Sequence, residues 1–373
     1  MNFLSTIASF IDAFLLFACR SLANQRGEIN INNYFATDEA FTLASLTKAI
    51  NHMEYVPGRI GQLGLFGEEG ISSTTVIIEE EYGTIRLIPT SPRGGVPEPV
   101  SRDLRKARSF IVPHIPVMMQ VRADEVQNVK AFGIADEAQA SRAGIQEVVN
   151  KKLALAAGNL DATLEFHRIG AIKGSILDAD GSAVLFNLFT EFGVSQQTQA
   201  MALTTAGTNV LGLIRAAQRM SITAMKAAIF NGWRALCGDA FFDALIGHVK
   251  VEDKYLSSAD NRLLREPDLA YGAIAFGGVV WENYRGGNVL NSAGAAQAYV
   301  ATDDAYLFPM GSPGLFVTYF APADYVETVN TIGLPRYAKQ EAMKMDKGID
   351  IETQTNPLCL CTRPRTVVKL TRV

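Results

Sequence analysis

The feature that most constrains this chain is one long periodic segment. From Ile134 to Ile169 apolar residues recur at Ile134, Ala138, Ile145, Val148/Val149, Leu153, Ala156, Leu160 and Leu164, the spacing of one face of an α-helix. A helix of that length runs about 54 Å at 1.5 Å per residue. A compact domain from a chain this size cannot wrap such a helix on all sides. Glu147, Lys151 and Lys152 stand opposite the apolar stripe, so the expectation is a beam lying along a flat sheet with one side in water. Gly144 and Gly158 weaken it slightly.

The segments before the beam read as arm, ribbon and loop. Phe41 to Ile50 has helical periodicity, and Pro57-Gly58, Gly61, Gly64, Gly67 and Gly70 then rule out any long helix. From Thr74 the pattern turns to strand, TTVIIEEE, followed by Tyr82-Gly83 and TIRLIP. The economical reading is a two-stranded ribbon with its tip near Gly83. A lone hairpin is marginal in water and must lie on something. After it comes a Pro- and Gly-rich loop from Pro89 to Pro99, then RDLRKAR. Between Gly83 and Arg108 there are six basic residues (Arg86, Arg93, Arg102, Arg105, Lys106, Arg108) against Glu98 and Asp103, while Glu68, Glu69, Glu79, Glu80 and Glu81 lie just upstream. Charge segregated in this way suits a projecting arm that docks on a complementary surface, and an ordinary solvated loop is the plain alternative. Ser109 to Val121 reads as a return strand, interrupted by Pro113 and Pro116 and therefore at an edge.

Beyond the beam, Lys173 to Gly181 leads into AVLFNLF. Asp178 and Asp180 hint at a calcium loop but lack the further oxygen ligands and terminal Glu that such a loop needs, so a strand-turn-strand corner is expected. Thr204 to Leu236 turns helical, with Leu211, Ile214, Met220, Ile222, Met225 and Ile229 as candidate core positions. FGGVVWENYRGG alternates as strand around Gly277-Gly278, and the C-terminal GIDIETQTNPLCLCTRPRTVVKLTR reads as two strands joined near Asn356-Pro357.

Phe3 to Cys19 holds 13 apolar residues in 17. It lacks the cationic start of a signal peptide, and Asp12 splits it. Leu16-Phe17-Ala18-Cys19 is close to a lipoprotein cleavage box, which would make Cys19 a lipid-bearing terminus. Ile7, Ile11, Phe14 and Ala18 fall at helical spacing and suit a partner-seeking helix. A start placed too far upstream is the third reading.

Composition closes off other classes. At 48% hydrophobic and 19% charged, the chain can build a real core and is not a disordered scaffold. A net charge of −4 argues against a dedicated nucleic-acid reader. Four cysteines (Cys19, Cys237, Cys359, Cys361) are too few and too scattered for a disulfide framework, and with four histidines no metal-ligand spacing emerges. Cys359 and Cys361 fall on the same face of a strand, with no second pair to complete a site. The chain has no G-x-S-x-G elbow, no phosphate loop, no dinucleotide fingerprint and no H-E-x-x-H. Cys237 and His248 make a thiol-imidazole pair only on paper, since nothing orients the imidazole. No catalytic residue, cofactor or metal site is expected.

Taken in order, LGLFGEEG with TTVIIEEEYGTIRLIPTSPRGG (Leu63 to Gly95), RSFIVPHIPVMMQVRADEVQNVKAFG (Arg108 to Gly133), RALCGDAFFDALIGH (Arg234 to His248), FGGVVWENYRG (Phe276 to Gly286) and GSPGLFVTYFAPADYVETVNTIGLPRYAKQ (Gly311 to Gln340) strongly resemble the lambda-like major capsid protein family of tailed bacteriophages, phage capsid family E. The likeness runs from about Phe35 to the C-terminus, and residues 1–30 have no counterpart in it. It implies an α+β chain with the Hong Kong 97-type capsid fold. In that scheme residues 1–30 are an N-terminal extension, 31–73 the N-terminal arm and 74–116 the extended loop. Residues 117–206 form a peripheral domain with the spine helix, 207–350 an axial domain, and 351–373 strands returning to the peripheral domain.

The implied function is a head protein whose copies form hexamers and pentamers of an icosahedral shell around double-stranded DNA, assembled in the host bacterial cytoplasm and carried in the virion. Implied partners are other copies, a portal, a scaffold with its maturation protease and a head decoration protein, with non-specific proximity to DNA and no membrane. Arg93, Arg102, Arg105, Lys106 and Arg108 are the expected inter-subunit contacts of the extended loop. A lipid-anchored envelope protein carried by Cys19, or a soluble enzyme with no recognisable motif, are the alternatives.

Overall fold

A computed structural model of the chain describes residues 42–52, 58–81, 105–127, 137–226, 228–257, 272–284 and 290–373. Along the chain run α1 (Leu43–His52), α2 (Arg59–Gln62), β1 (Gly67–Gly70), β2 (Thr75–Glu81), β3 (Arg105–Ile111), β4 (Ile115–Arg122), α3 (Ala123–Val126) and α4 (Glu137–Lys173). Then follow β5 (Ser175–Leu177), β6 (Val184–Asn187), α5 (Leu188–Phe192), β7 (Gln197–Ala200), α6 (Val210–Met225), β8 (Gly232–Cys237), α7 (Asp239–Ile246) and α8 (Val249–Ser257). The chain closes with β9 (Ile274–Phe276), β10 (Val279–Asn283), β11 (Asp304–Met310), β12 (Phe316–Phe320), β13 (Tyr337–Ala342), β14 (Gly348–Thr355), β15 (Pro357–Cys361) and β16 (Val368–Thr371).

Two compact units divide these elements. The first comprises Met1–Ala49, Met118–Leu153 and Ala338–Glu352. Its buried residues include Leu46, Val121, Val126, Ile145, Val149, Leu153, Ala338, Ile349 and Ile351. Thr47 ties α1 to β13 here, its hydroxyl accepting from Ala338 N at 3.3 Å.

The second unit comprises Ile50–Val117, Ala154–Tyr337 and Thr353–Val373 and holds two cores. One gathers the C-terminal part of α4 (Leu164, Ile169, Ile172) with Phe66, Phe110, Phe192, Phe308, Phe316, Phe320 and Leu358. The other lies between α6 and a six-stranded mixed sheet ordered β7-β16-β11-β8-β10-β9, and contains Ile214, Met225, Trp233, Phe241, Trp281, Leu307 and Leu370. A three-stranded sheet, β1-β12-β15, joins parallel and antiparallel pairs. The β9–β10 hairpin turns on Gly277 (φ 66°) and Gly278 (φ 77°), the double left-handed turn that suits the twist of two strands.

The long helix is real and spans 37 residues. Every apolar position expected between Ile145 and Leu164 is buried except Val148, which is half-buried. The beam reading needs correction in its last third, where residues 160–172 are buried on nearly every side. The ribbon also differs. β2 pairs antiparallel with β3, Thr75 opposite Ile111 through Glu81 opposite Arg105, whereas the expected turn at Tyr82-Gly83 and its return arm lie outside the described residues. Ser109 to Val121 is two strands, broken at Val112–His114 where Pro113 sits. Ile222 and Ile229 are exposed, not core: the buried stripe of α6 runs through Val210, Ile214, Ala217, Ser221 and Met225, and Ile229 lies beyond that helix. Asp178 and Asp180 close the β5–β6 hairpin, Asp180 accepting from Ser182 N (2.8 Å) and Ala183 N (2.9 Å).

The C-terminal strands do join at Asn356, whose amide donates to Pro322 O at 2.8 Å. They then separate. β15 enters the sheet with β12, while β16 lies between β7 and β11. Replacing Leu160, fully buried on α4, with Ala should cost about 2–5 kcal/mol, read as a lower urea midpoint of the unassembled chain with unchanged slope.

Candidate assembly interface and its charged anchor

Three charged residues lie at helical spacing on α4, each buried and each clamped to a different segment. Asp161 takes a two-toothed contact from Arg336, whose Nη2 donates to Oδ1 and Oδ2 at 2.6 Å each and whose Nε donates to Oδ1 at 3.0 Å. The Arg336 Nη1 also donates to Ile50 O at 2.9 Å, so one pair ties α4 to the end of α1 and to the approach to β13. One turn on, Glu165 accepts from Ile60 N (2.6 Å), Gly61 N (3.3 Å) and the Tyr284 hydroxyl (3.0 Å). Gly58 is needed there, because a Cβ on it would lie 2.3 Å from the Glu165 Cδ. Arg168 then donates to Glu68 of β1 at 2.6 Å and lies over the Phe66 ring.

α2 is held a second time by Glu282, fully buried on β10, which accepts from Arg59 Nε and Arg234 Nη1 at 2.5 Å each. Burial pushes the Glu165 carboxyl above its ordinary range, against the lowering effect of its hydrogen bonds. Asp161 is raised in the same way, burial outweighing Arg336. Buried ions of this kind persist only when their partners are in place.

The ribbon stands on this base. Val76 and Phe110 point inward, with Phe110 packed on Phe186 and Phe192 at 6.0 and 5.9 Å. Ile77 and Ile111, on the other face, are exposed. Of the five basic residues expected to reach a neighbour, Arg93 and Arg102 lie outside the described residues. Arg105 and Lys106 are the first two residues of β3. Arg108 turns inward, its Nη2 donating to Phe192 O at 2.9 Å and its guanidinium 5.1 Å from the Phe192 ring centroid. The structure thus engages Arg108 within the subunit.

The remaining candidates are structural in their contacts. Burial raises the thiols of Cys359 and Cys361 to about 11 and about 12, and raises Cys237 as well. The His248 ring is committed to Thr205 O at 3.1 Å and Lys250 N at 3.2 Å. Among the described residues no His/Cys/Asp/Glu group could hold a metal ion, and no helix is long and apolar enough to cross a membrane. Cys19 lies outside them.

Comparison with known proteins assigns the chain. The family model for phage major capsid protein E matches residues 42–372. The chain belongs to that family. It is 29% identical over 345 residues to the major capsid protein of Pseudomonas phage KPP10, covering 88% of this chain and 96% of that one. With the major capsid protein of Salmonella phage Felix O1 it shares 25% identity over 372 residues, covering 88% and 95%. Among solved structures it superposes on one described as a prophage capsid protein of E. coli CFT073 with a TM-score of 0.60, at 12% identity and covering 89% of this chain and 99% of that one. The fold is the Hong Kong 97-type capsid fold, α+β as expected. Within that fold α4 is the long helix on which the buried charges of this capsid protein are strung.

Sequence reasoning passed over Asp161, Glu165 and Arg168. The available signal was three charges at i, i+4 and i+7 inside a helix whose other face is apolar. Replacing Arg336 with Met should cost about 3–5 kcal/mol by stranding the Asp161 carboxylate. Adding Asp161→Leu should recover most of that in the same denaturation measurement. A second prediction concerns His167, whose two ring nitrogens have no hydrogen-bond partner and whose pKa burial lowers to about 4. Because the unfolded chain takes up this proton first, stability should fall by about 3 kcal/mol as pH drops from 6.5 to 4. In a His167→Gln variant that part of the slope should vanish.

Proposed function

We propose that this chain is the shell-forming subunit of a tailed-phage head, whose copies associate into hexamers and pentamers and close into an icosahedral shell around double-stranded DNA. The observation that carries the reading is the family match across residues 42–372, joined to a fold shared over 89% of the chain. Closed rings need head-to-tail contacts between unlike patches. A ribbon leaving the body, followed by a basic segment, supplies one side of such a contact. Arg93, Arg102, Arg105 and Lys106 pair with acidic surface on the next copy, while Arg108 braces the ribbon base from within.

With a net charge of −4, contact with the genome is weak and independent of sequence. A portal, a scaffold with its protease and a decoration protein are the further partners this role calls for, and assembly takes place in the host cytoplasm. The expressed chain should form capsomers or shells in negative-stain images, and a monodisperse monomer on sedimentation at high concentration would sink the proposal. Arg93→Glu with Arg102→Glu should abolish or misdirect shells without changing the melting temperature of the unassembled subunit.

A further inference from the structure

The loop between β12 and β13 exposes apolar side chains that its own fold does not use. Val326 is 90% exposed, Val329 62%, Ile332 70% and Leu334 43%. The first three recur every third residue along two successive turns, closed by Thr328 N to Tyr325 O at 3.0 Å and Thr331 N to Thr328 O at 3.2 Å. Their buried counterparts are Thr328, whose hydroxyl donates to Ala323 O at 2.7 Å, and Gly333. The loop therefore has an inner side that anchors it and an outer side on which Val326, Val329 and Ile332 stand among the exposed Glu327, Asn330 and Thr331.

The loop is also held rigidly. Gly333 N donates to Ile71 O at 2.9 Å, and a Cβ on Gly333 would lie 2.0 Å from Phe320 O. A Cβ on Gly70 would meet Gly333 O at 2.4 Å. Leu334 N donates to the Tyr337 hydroxyl at 2.8 Å, and the Thr355 hydroxyl to Pro335 O at 2.6 Å. A loop so pinned loses little conformational freedom when something covers it.

We infer that the outer side of the Val326–Leu334 loop is a contact between copies of this chain. The four side chains present on the order of 400 Å², as large as the biggest apolar patch on an ordinary monomer. That is about half of the ~800 Å² per partner that a stable pairwise interface buries. An isolated dimer would be poorly held by it. A subunit with several neighbours, where many modest contacts add up, is the assembly it fits, so the inference rests on the shell reading above.

The test uses the full chain. Val329→Asp with Ile332→Asp should leave the melting temperature of the unassembled subunit unchanged, since both side chains face water. The same variant should raise the concentration at which particles form at least tenfold. In a separate Val329→Cys variant, maleimide labelling followed by peptide mass spectrometry should be fast in free subunits and at least tenfold slower in shells.

If the wild-type chain forms shells and the double variant forms them at the same concentration, the loop contact is overturned and the shell reading stands. Labelling as fast in shells as in subunits overturns it too. Slow labelling already in free subunits overturns it in another way, by showing that the chain's own segments cover the loop. Should the double variant fail to fold, the labelling ratio decides. If the wild-type chain never assembles, the shell reading falls and takes the inference with it.

Discussion

The long helix holds its distant partners in the second unit through charges buried inside it. Asp161, Glu165 and Arg168 occupy one stripe of α4 where burial would otherwise be prohibitive. Each is tolerated because a distant segment brings its partner: Arg336 from the approach to β13, the backbone N–H groups of α2, and Glu68 from β1. The cost of leaving any of them unpaired makes these contacts specific in a way that apolar packing is not. A Leu can slide against a Phe with small loss, whereas a carboxylate held by two arginine nitrogens has one place to be. The helix thus sets the position of three segments far apart in the chain.

That specificity matters for a protein whose copies must meet in fixed geometry. The ribbon built from β2 and β3 rests on Phe110, Phe186 and Phe192, with Arg108 tied to the Phe192 carbonyl. A rigid base lets a projecting element reach a neighbour without first paying for its own ordering. The same logic holds for the loop after β12, whose glycines permit backbone contacts too close for any Cβ. Rigid support and exposed apolar side chains occur together at both places.

Much of this was legible along the chain. Periodicity located the long helix, because burial of one stripe repeats every three or four residues from Ile145 to Leu164. The Asp-Gly corner at residues 180–181 was legible because Asx hydrogen bonds are a local requirement, whereas Gly277-Gly278, read within a strand, is the hairpin turn itself. The pairing of β2 with β3 could not be read from the chain, because a strand pattern says nothing about which strand it meets. β3 begins at Arg105, 22 residues beyond Gly83, and only tertiary contacts choose between near and far partners. The exposure of Ile222 was not legible because an isolated residue carries no record of which side of α6 faces the sheet, and Ile229 lies beyond the end of that helix. The order of long segments, rather than any short motif, carried the resemblance to phage capsid proteins that the family match then established.

What the sequence by itself determined is therefore local and periodic: a long helix, strands with their turns, a basic segment behind an acidic one, and no cysteine or histidine spacing suited to catalysis or metal. What only the tertiary structure decided is which distant groups meet. Arg336 and Asp161 are 175 residues apart, Arg59 and Glu282 are 223 apart, and no periodicity connects them. The fold pairs them because burying one charge without the other costs several kcal/mol, a constraint that acts in three dimensions and leaves only a faint trace along the chain.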